Sequence, residues 1–445
     1  MSGERTSGGV IGVIADDFTG AAEIGGVAVR YGLTAEIWSP ATAAWSTATE
    51  TSFFPERPTS DVDVICLDTN SRACPPDVAT KRVAQGATAV HSTFFPGGCT
   101  FPRAMLFKKT DSVLRGQVAA ELTGLMDATG RKRVLLVPAN PSLGRTVQDG
   151  RYLIQGTPLD QTHFAHDPEY PARTADVAML IAGPQMQAEG STVPVYVLNP
   201  ARASEMSTVS SGIIVGEAST HEDVVAWAAS LDATTIPAGA AEFFGAFLET
   251  REGGQGGHTT KYGTLNATEG EEHPNTRDTA LFVVGSTSDA SRTFCLRCEA
   301  HHIPVIRIPM QLFEEKGNTA GWIGRWEADV LQAFEHSPRE GGQGSSVVVA
   351  IDRPLCRVPG LPQRLSGYLA TVTQRVLSQQ PVSVVFVEGG ATAVALVRQF
   401  GWDRMRVKQE LAPGSVSLQS MDGTGPLLAM KPGSYVWPEE VWPWT

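Results

Sequence analysis

The sequence predicts an α/β protein of two domains, each a mostly parallel sheet flanked by helices. Three observations carry that expectation. Short apolar runs alternate with helical patterns along most of the chain, as in βαβ units whose sheet is covered on both faces. The chemically useful polar residues follow these runs, as in Asp16-Asp17, Ser71-Arg72 and Thr110-Asp111-Ser112. Ligands of open α/β sheets sit at such strand ends. A polar stretch, 249–276, separates two series of this kind. It reads as a linker or insertion between domains 1–248 and 277–445.

The first strand runs from Val10 to Ala15 and stops at Asp16-Asp17. A small-residue helix restarts at Thr19-Gly20 and ends at Tyr31-Gly32. Further strands are expected at 34–38, 61–67, 104–108 and 133–137, with a helix over 117–129. Residues 150–172 carry Pro158, Pro168 and Pro171 and read as loop. Helices are expected at 175–187, 221–231 and 238–248, and strands at 193–198 and 212–215. In the second domain, strands are expected at 280–284, 305–308, 347–351, 383–387 and 427–430. Helices follow Gly285-Ser286 and Gly389-Gly390, and two more cover 322–335 and 361–378.

Composition narrows the class. The chain has 445 residues, 42% hydrophobic and 18% charged, ordinary for a globular protein. No apolar run approaches a membrane span. Residues 1–9 are polar, so no signal peptide is visible. Six scattered cysteines form no disulfide framework, and a reducing cytoplasm is expected. The lone Cys295-Leu296-Arg297-Cys298 lacks a second pair and reads as incidental. Net charge of −12 argues against nucleic acid or an anionic membrane as partner. Between Arg72 and Arg151, however, 12 basic residues face 5 acids, leaving −19 for the rest. Such a segment can focus an anionic ligand.

Two constellations carry chemistry. Asp16 and Asp17 suit proton abstraction, hydroxyl binding or magnesium coordination; the structural alternative is a helix cap beside a solvated acid. Lys109, Thr110, Asp111, Ser112 and Arg115 place two cations, a carboxylate and two hydroxyls at one strand end. With Arg72 they could grip a small polyhydroxylated acid, or form a capping network. In the second domain, Gly285-Ser286 and Gly389-Gly390-Ala391-Thr392 are candidate phosphate cradles. Neither a Walker nor a Rossmann fingerprint is present. The segment His163-Phe164-Ala165-His166-Asp167 could be a metal cluster, but its loop context and lack of a further spaced partner favour packing or a substrate-loop role.

The chain resembles the four-carbon acid sugar kinases. The resemblance rests on Ile14 to Ala21, Asp68 to Arg72, Lys108 to Gly116, Val137 to Thr146 and Phe164 to Pro168. It continues through Pro237 to Ala240, Gly285-Ser286, Gly389 to Thr392, Pro413-Gly414 and Lys431-Pro432-Gly433. It implies an N-terminal sugar-acid domain and a C-terminal nucleotide domain. It also implies ATP-dependent, magnesium-assisted phosphorylation of the terminal hydroxyl of a threonate, an erythronate or an oxo-tetronate. By position, Asp16, Arg72, Lys109, Thr110, Asp111, Ser112 and Arg115 are the implied substrate contacts. Asp16, Asp17 and Asp111 are the catalytic candidates. Ser286, Gly389, Gly390, Ala391, Thr392 and Gly433 are the implied ATP contacts; no protein metal ligand is expected. Two motifs depart from the family pattern: Ala391 replaces an acid, and Ser434-Tyr435-Val436 replaces Asn-Phe-Gly. A non-catalytic sugar-acid-binding protein is the alternative. Stereochemistry of the acid and homo-oligomer formation stay open.

Overall fold

The computed structural model describes residues 10–40, 45, 62–94, 106–167, 170–189, 193–251, 279–313, 317–337, 345–353, 358 and 360–442. The chain divides into two compact units, Met1–Thr259 and Thr260–Thr445.

The first unit contains β1 (Ile11–Ala15), α1 (Phe18–Arg30), β2 (Ala35–Trp38), β3 (Val64–Asp68), α2 (Pro76–Phe94), β4 (Leu106–Lys109), α3 (Val118–Thr129) and β5 (Arg133–Val137). A small antiparallel sheet follows, β6 (Arg145–Gln148), β7 (Arg151–Ile154) and β8 (Thr157–Pro158). Then come α4 (Val177–Glu189), β9 (Val195–Leu198), β10 (Gly212–Gly216), α5 (His221–Ala229), β11 (Thr235–Gly239) and α6 (Ala241–Arg251). The main sheet of this unit is parallel, in the order β2-β3-β1-β4-β11-β5-β10-β9. Strand β1 lies between β3 and β4, so the residues after all three come together at one edge. Val13, Ile14, Leu67, Phe107, Leu135 and Ile236 are fully buried. That two-sided burial explains why these strands read as continuous apolar runs.

The second unit contains β12 (Ala280–Val284), α7 (Asp289–Ala300), β13 (Val305–Arg307), α8 (Thr319–His336), β14 (Ser346–Ala350), α9 (Leu361–Leu377), β15 (Val384–Glu388), α10 (Gly390–Phe400), β16 (Arg404–Ala412), β17 (Ser415–Ser420) and β18 (Leu427–Lys431). Strands β13-β14-β12-β15-β18 run parallel, and β17 and β16 extend the edge antiparallel. Phe282 stacks on Phe386 at 4.5 Å between centroids, and Trp437 meets Phe386 edge-on at 5.4 Å.

The α/β class holds, and several elements differ from expectation. Residues 150–172 contain β7 and β8 rather than loop alone. The turns Asp149-Gly150 (φ 49 and 71) and Gln155-Gly156 (φ 49 and 78) are two-residue hairpins. Positive φ at both central positions matches the twist of the flanking strands. Residues 235–239 form a strand, not the start of a helix. The small Pro237-Ala238-Gly239 run fits where backbones crowd, since a Cβ at Gly239 would meet the Val137 carbonyl. The expected 175–187 helix breaks at Gly183 (φ 62, ψ 160), ahead of Pro184. Helix α2 and the hairpin turning at Pro413-Gly414 were not anticipated. Residues 249–251 complete α6, and most of the expected 249–276 linker lies outside the described residues. Among the described residues, no helix is long and apolar enough to cross a membrane.

Helices α2 and α3 pack at close range through Gly124. A Cβ there would run into the Thr80 carbonyl and stand 3.1 Å from its Cα. Gly124→Ala is therefore expected to destabilise the protein by about 1–3 kcal/mol, read as a lower urea midpoint with unchanged m.

Candidate active site

The sequence turns from apolar to charged at the carboxyl ends of β1, β3 and β4, and the sheet brings these ends together. The loop after β3 is fastened onto β1. Thr69 N–H donates to the Ala15 carbonyl (3.0 Å), and Ser71 N–H to the Asp16 carbonyl (2.9 Å). This delivers the Arg72 guanidinium to three carboxylates. Its Nε donates to Asp16 Oδ2 at 2.7 Å. Its Nη1 lies 2.5 Å from Asp17 Oδ2, and its Nη2 3.6 Å from Asp111 Oδ1. Asp17 also caps α1, accepting from Gly20 N–H at 2.7 Å. The capping alternative is thus true of Asp17, together with an ion pair.

The strand-end run after β4 completes the cluster. Arg115 grips Asp111 through Nε (3.0 Å) and Nη2 (2.8 Å), and its Nη1 is 3.4 Å from Asp167. Lys109 Nζ pairs with Glu23 Oε2 at 2.9 Å and donates to the Thr110 carbonyl. Beneath it, fully buried Lys108 pairs with Glu121 (3.0 Å), which accepts from Ser71 Oγ (2.6 Å). Ser112 Oγ accepts from Arg145 Nη1, and Tyr152 Oη donates to the Ser112 carbonyl.

Burial would push Asp16 up, but Arg72 and Lys108 outweigh it and hold the carboxyl below its ordinary range. Asp111 is treated the same way by Arg115 and Arg72. For Asp17, burial prevails over Arg72 and its pKa is raised. Burial would pull Lys109 down; Glu23 and Asp16 raise it instead, so it stays charged. Two polar atoms in this neighbourhood are buried with no hydrogen-bond partner among the described residues: Asp16 Oδ1 and Thr110 Oγ1. A Cβ at Gly20 would stand 3.6 Å from Asp16 Oδ1 and 3.3 Å from Lys109 Cγ. Glycine keeps that space open.

The expected substrate residues are therefore brought together, with a difference in electrostatics. Arg72, Lys109 and Arg115 face Asp16, Asp17, Glu23, Asp111 and Asp167, five acids of the same chain. Of the local excess of base in the sequence, Arg72, Lys108, Lys109 and Arg115 meet acids there, while Arg145 meets no carboxylate among the described residues. Sequence reasoning missed Glu23, Glu121 and Arg145. Glu23 had a legible signal, being a lone acid one turn after Gly20 in an otherwise apolar helix.

In the second unit, the ends of β12, β15 and β18 also converge. Gly389 (φ 101) precedes α10, whose first turn has no side-chain cap. A Cβ at Gly285 would collide with the Thr392 hydroxyl, and one at Gly433 with Ser286 Oγ. Ser288 Oγ donates to the Gly433 carbonyl at 2.6 Å. Ser286, Gly389, Thr392 and Gly433 thus share one edge, with Gly390 and Ala391 opening the helix. Behind them Lys431 Nζ lies 3.2 Å from Glu388 Oε2, both 1% exposed. Burial lowers the Lys431 pKa against the pull of Glu388. A shallow cleft lined by Leu377, Val382, Trp402 and Pro426 lies at the amino end of β15, away from this edge.

Residues 163–166 form a 3₁₀ turn, and among the described residues no group of three or more His, Cys, Asp or Glu is placed to hold a metal ion. Cys295 and Cys298 are buried in the core of the second unit. Burial pushes the Cys295 thiol up to about 12, so it is unreactive at neutral pH.

A sugar-binding N-terminal domain family model matches residues 11–246, and a nucleotide-binding C-terminal domain model matches 281–435. The D-threonate kinase of Salmonella typhimurium is 28% identical over 429 residues, covering 90% of this chain and 89% of that relative. The D-erythronate kinase of Heliobacterium modesticaldum is 26% identical over 422 residues, covering 90% and 88%. The solved structure of Haemophilus influenzae protein HI1011 superposes with a TM-score of 0.65 at 18% identity, covering 97% of this chain and 98% of the other; it is similar in fold.

The Asp111 environment sets an acid-side stability limit. Its folded pKa lies below the unfolded one. The ionised form therefore contributes stability that is complete above about pH 4 and is lost as pH falls further. Below about pH 4 the melting temperature of the wild type should fall more steeply than that of Asp111→Asn. Parallel profiles in a pH series of thermal melts would contradict this.

Proposed function

Because this chain belongs to the four-carbon acid sugar kinase family, we propose that it transfers the γ-phosphoryl group of ATP to the terminal hydroxyl of a four-carbon sugar acid, a threonate, an erythronate or a 3-oxo-tetronate. The observation that supports this most is the unpartnered, buried Asp16 Oδ1 beside the Arg72 clamp. An ionised carboxylate oxygen with no protein donor is an acceptor for a substrate hydroxyl.

In this reading Asp16 orients the attacking hydroxyl. Its lowered pKa makes it a poor proton acceptor before transfer. That suits phosphoryl transfer, whose loose transition state asks mainly for positioning and charge stabilisation. Asp17, with its raised pKa, is the more basic of the two, but its oxygens already take the Gly20 N–H and Arg72. Arg72 fixes both carboxylates at the end of β1. Thr110 Oγ1, buried and unpartnered, offers a hydroxyl to the middle of the polyol.

The second unit fits a polyphosphate. Its glycines leave room where a Cβ would collide, and Gly390, Ala391 and Thr392 bring free backbone N–H groups at the start of α10. Ser286, Gly389 and Gly433 complete that cradle. ATP supplies the phosphoryl group, and magnesium neutralises its phosphate charge. The absence of an acid at position 391 leaves that neutralisation to the ion and the backbone.

Asp16→Asn keeps the shape and the Arg72 contact but removes the charge. The expected result is a loss of kcat of about 10²-fold or more with little change in KM for ATP and a retained cooperative melt. A near-normal kcat on the wild type's own substrate would remove Asp16 from the mechanism.

A further inference from the structure

The clamp on Arg72 raises a question the substrate chemistry must answer. A four-carbon acid brings a permanent carboxylate, and a buried carboxylate needs a cation whose own charge is not already matched. At the clustered strand ends, Arg72 is held by Asp16, Asp17 and Asp111, Arg115 by Asp111 and Asp167, Lys109 by Glu23, and Lys108 by Glu121. Arg145 differs. Its guanidinium donates to the Ser112 hydroxyl, and among the described residues no carboxylate pairs with it. Its backbone is fixed at both sides. Arg145 N–H donates to the Asn140 carbonyl at 3.0 Å, and Asn140 N–H returns a bond to the Arg145 carbonyl at 2.8 Å. Asn140 is itself 2% exposed and accepts from Glu242 N–H at 3.0 Å. The Tyr152 hydroxyl, on the same small sheet, holds the Ser112 carbonyl.

We infer that Arg145, presented by the β6–β7 hairpin, is the residue that binds the carboxylate of the sugar acid, with the Ser112 hydroxyl as its companion donor. This rests on the sugar-acid reading above and gives the site a direction. Ser112 is bonded to Arg145, and the adjacent Asp111 reaches Arg72 and through it Asp16. The cluster thus has a cationic end at Arg145 and a hydroxyl-accepting end at Asp16. A sugar acid has the same polarity, with carboxylate at one end and the reacting hydroxyl at the other. A guanidinium with donors to spare takes a carboxylate bidentately, while Ser112, accepting from Arg145, keeps its own proton to donate. Arg72, in contrast, is already engaged by three acids of the chain.

The test is calorimetric binding of the threonate and erythronate isomers, and of the corresponding neutral amides, to the whole protein without nucleotide. Arg145→Met should weaken acid binding about 10- to 100-fold and change amide binding by less than about threefold. Arg145→Lys should fall between, since it keeps the charge and loses the fork; it also serves if Arg145→Met does not fold. Unchanged acid affinity in both variants would overturn the inference, as would equal losses for acid and amide, the mark of a purely structural clamp. A wild type that binds an acid but never phosphorylates it defeats the kinase reading while leaving Arg145 to be judged by these affinities. A wild type that binds no acid defeats both.

Discussion

Arg72 is the interaction on which the first unit's chemistry depends. One guanidinium meets Asp16 and Asp17 from the end of β1 and Asp111 from the end of β4. Three carboxylates in a largely buried place would otherwise repel one another and protonate. With Arg72 present, Asp16 and Asp111 stay ionised, and the spare oxygen of Asp16 remains an acceptor. Removing one partner of such a set leaves unpaired buried charge, a loss of about 3–5 kcal/mol. The loop that carries Arg72 is correspondingly fastened, with Asn70 in the left-handed region (φ 47) and its N–H on Asp68 Oδ1 at 2.8 Å.

The same arrangement recurs in kind, though not in chemistry, in the second unit. There the strand ends carry glycines and hydroxyls in place of acids, and a buried Lys431–Glu388 pair ties two neighbouring strands just behind them. One edge presents charged side chains, the other glycines and hydroxyls at the start of a helix. Each follows from the parallel sheet, which gathers the residues after its strands at a single edge.

Much of this was legible in the sequence. The strands with two buried faces stood out because burial on both sides favours apolar residues along most of their length, and the acids after Ala15 and Lys109 marked where they stop. The polar residues that the strand ends gather in both units were legible for the same reason. What escaped was of two kinds. Short strands without a one-faced apolar pattern, such as β7 and β8, hid behind prolines, although Asp149-Gly150 is a hairpin signal. Pairing was the other: nothing in a linear sequence says that Lys109 meets Glu23 or that Arg145 reaches Ser112, because side-chain partners are set by sheet order. The local surplus of basic residues therefore suggested free cations, where folding had supplied acids from α1 and the 167 turn.

Phosphoryl transfer is tested most directly by a coupled ADP-release assay with Mg-ATP against D- and L-threonate, D- and L-erythronate, and their 2- and 3-oxo forms. Turnover of at least one of them is expected, with phosphate on the terminal hydroxyl. Silence across the panel from protein shown to be folded and to bind the acids would contradict it and leave a sugar-acid-binding protein on a kinase scaffold.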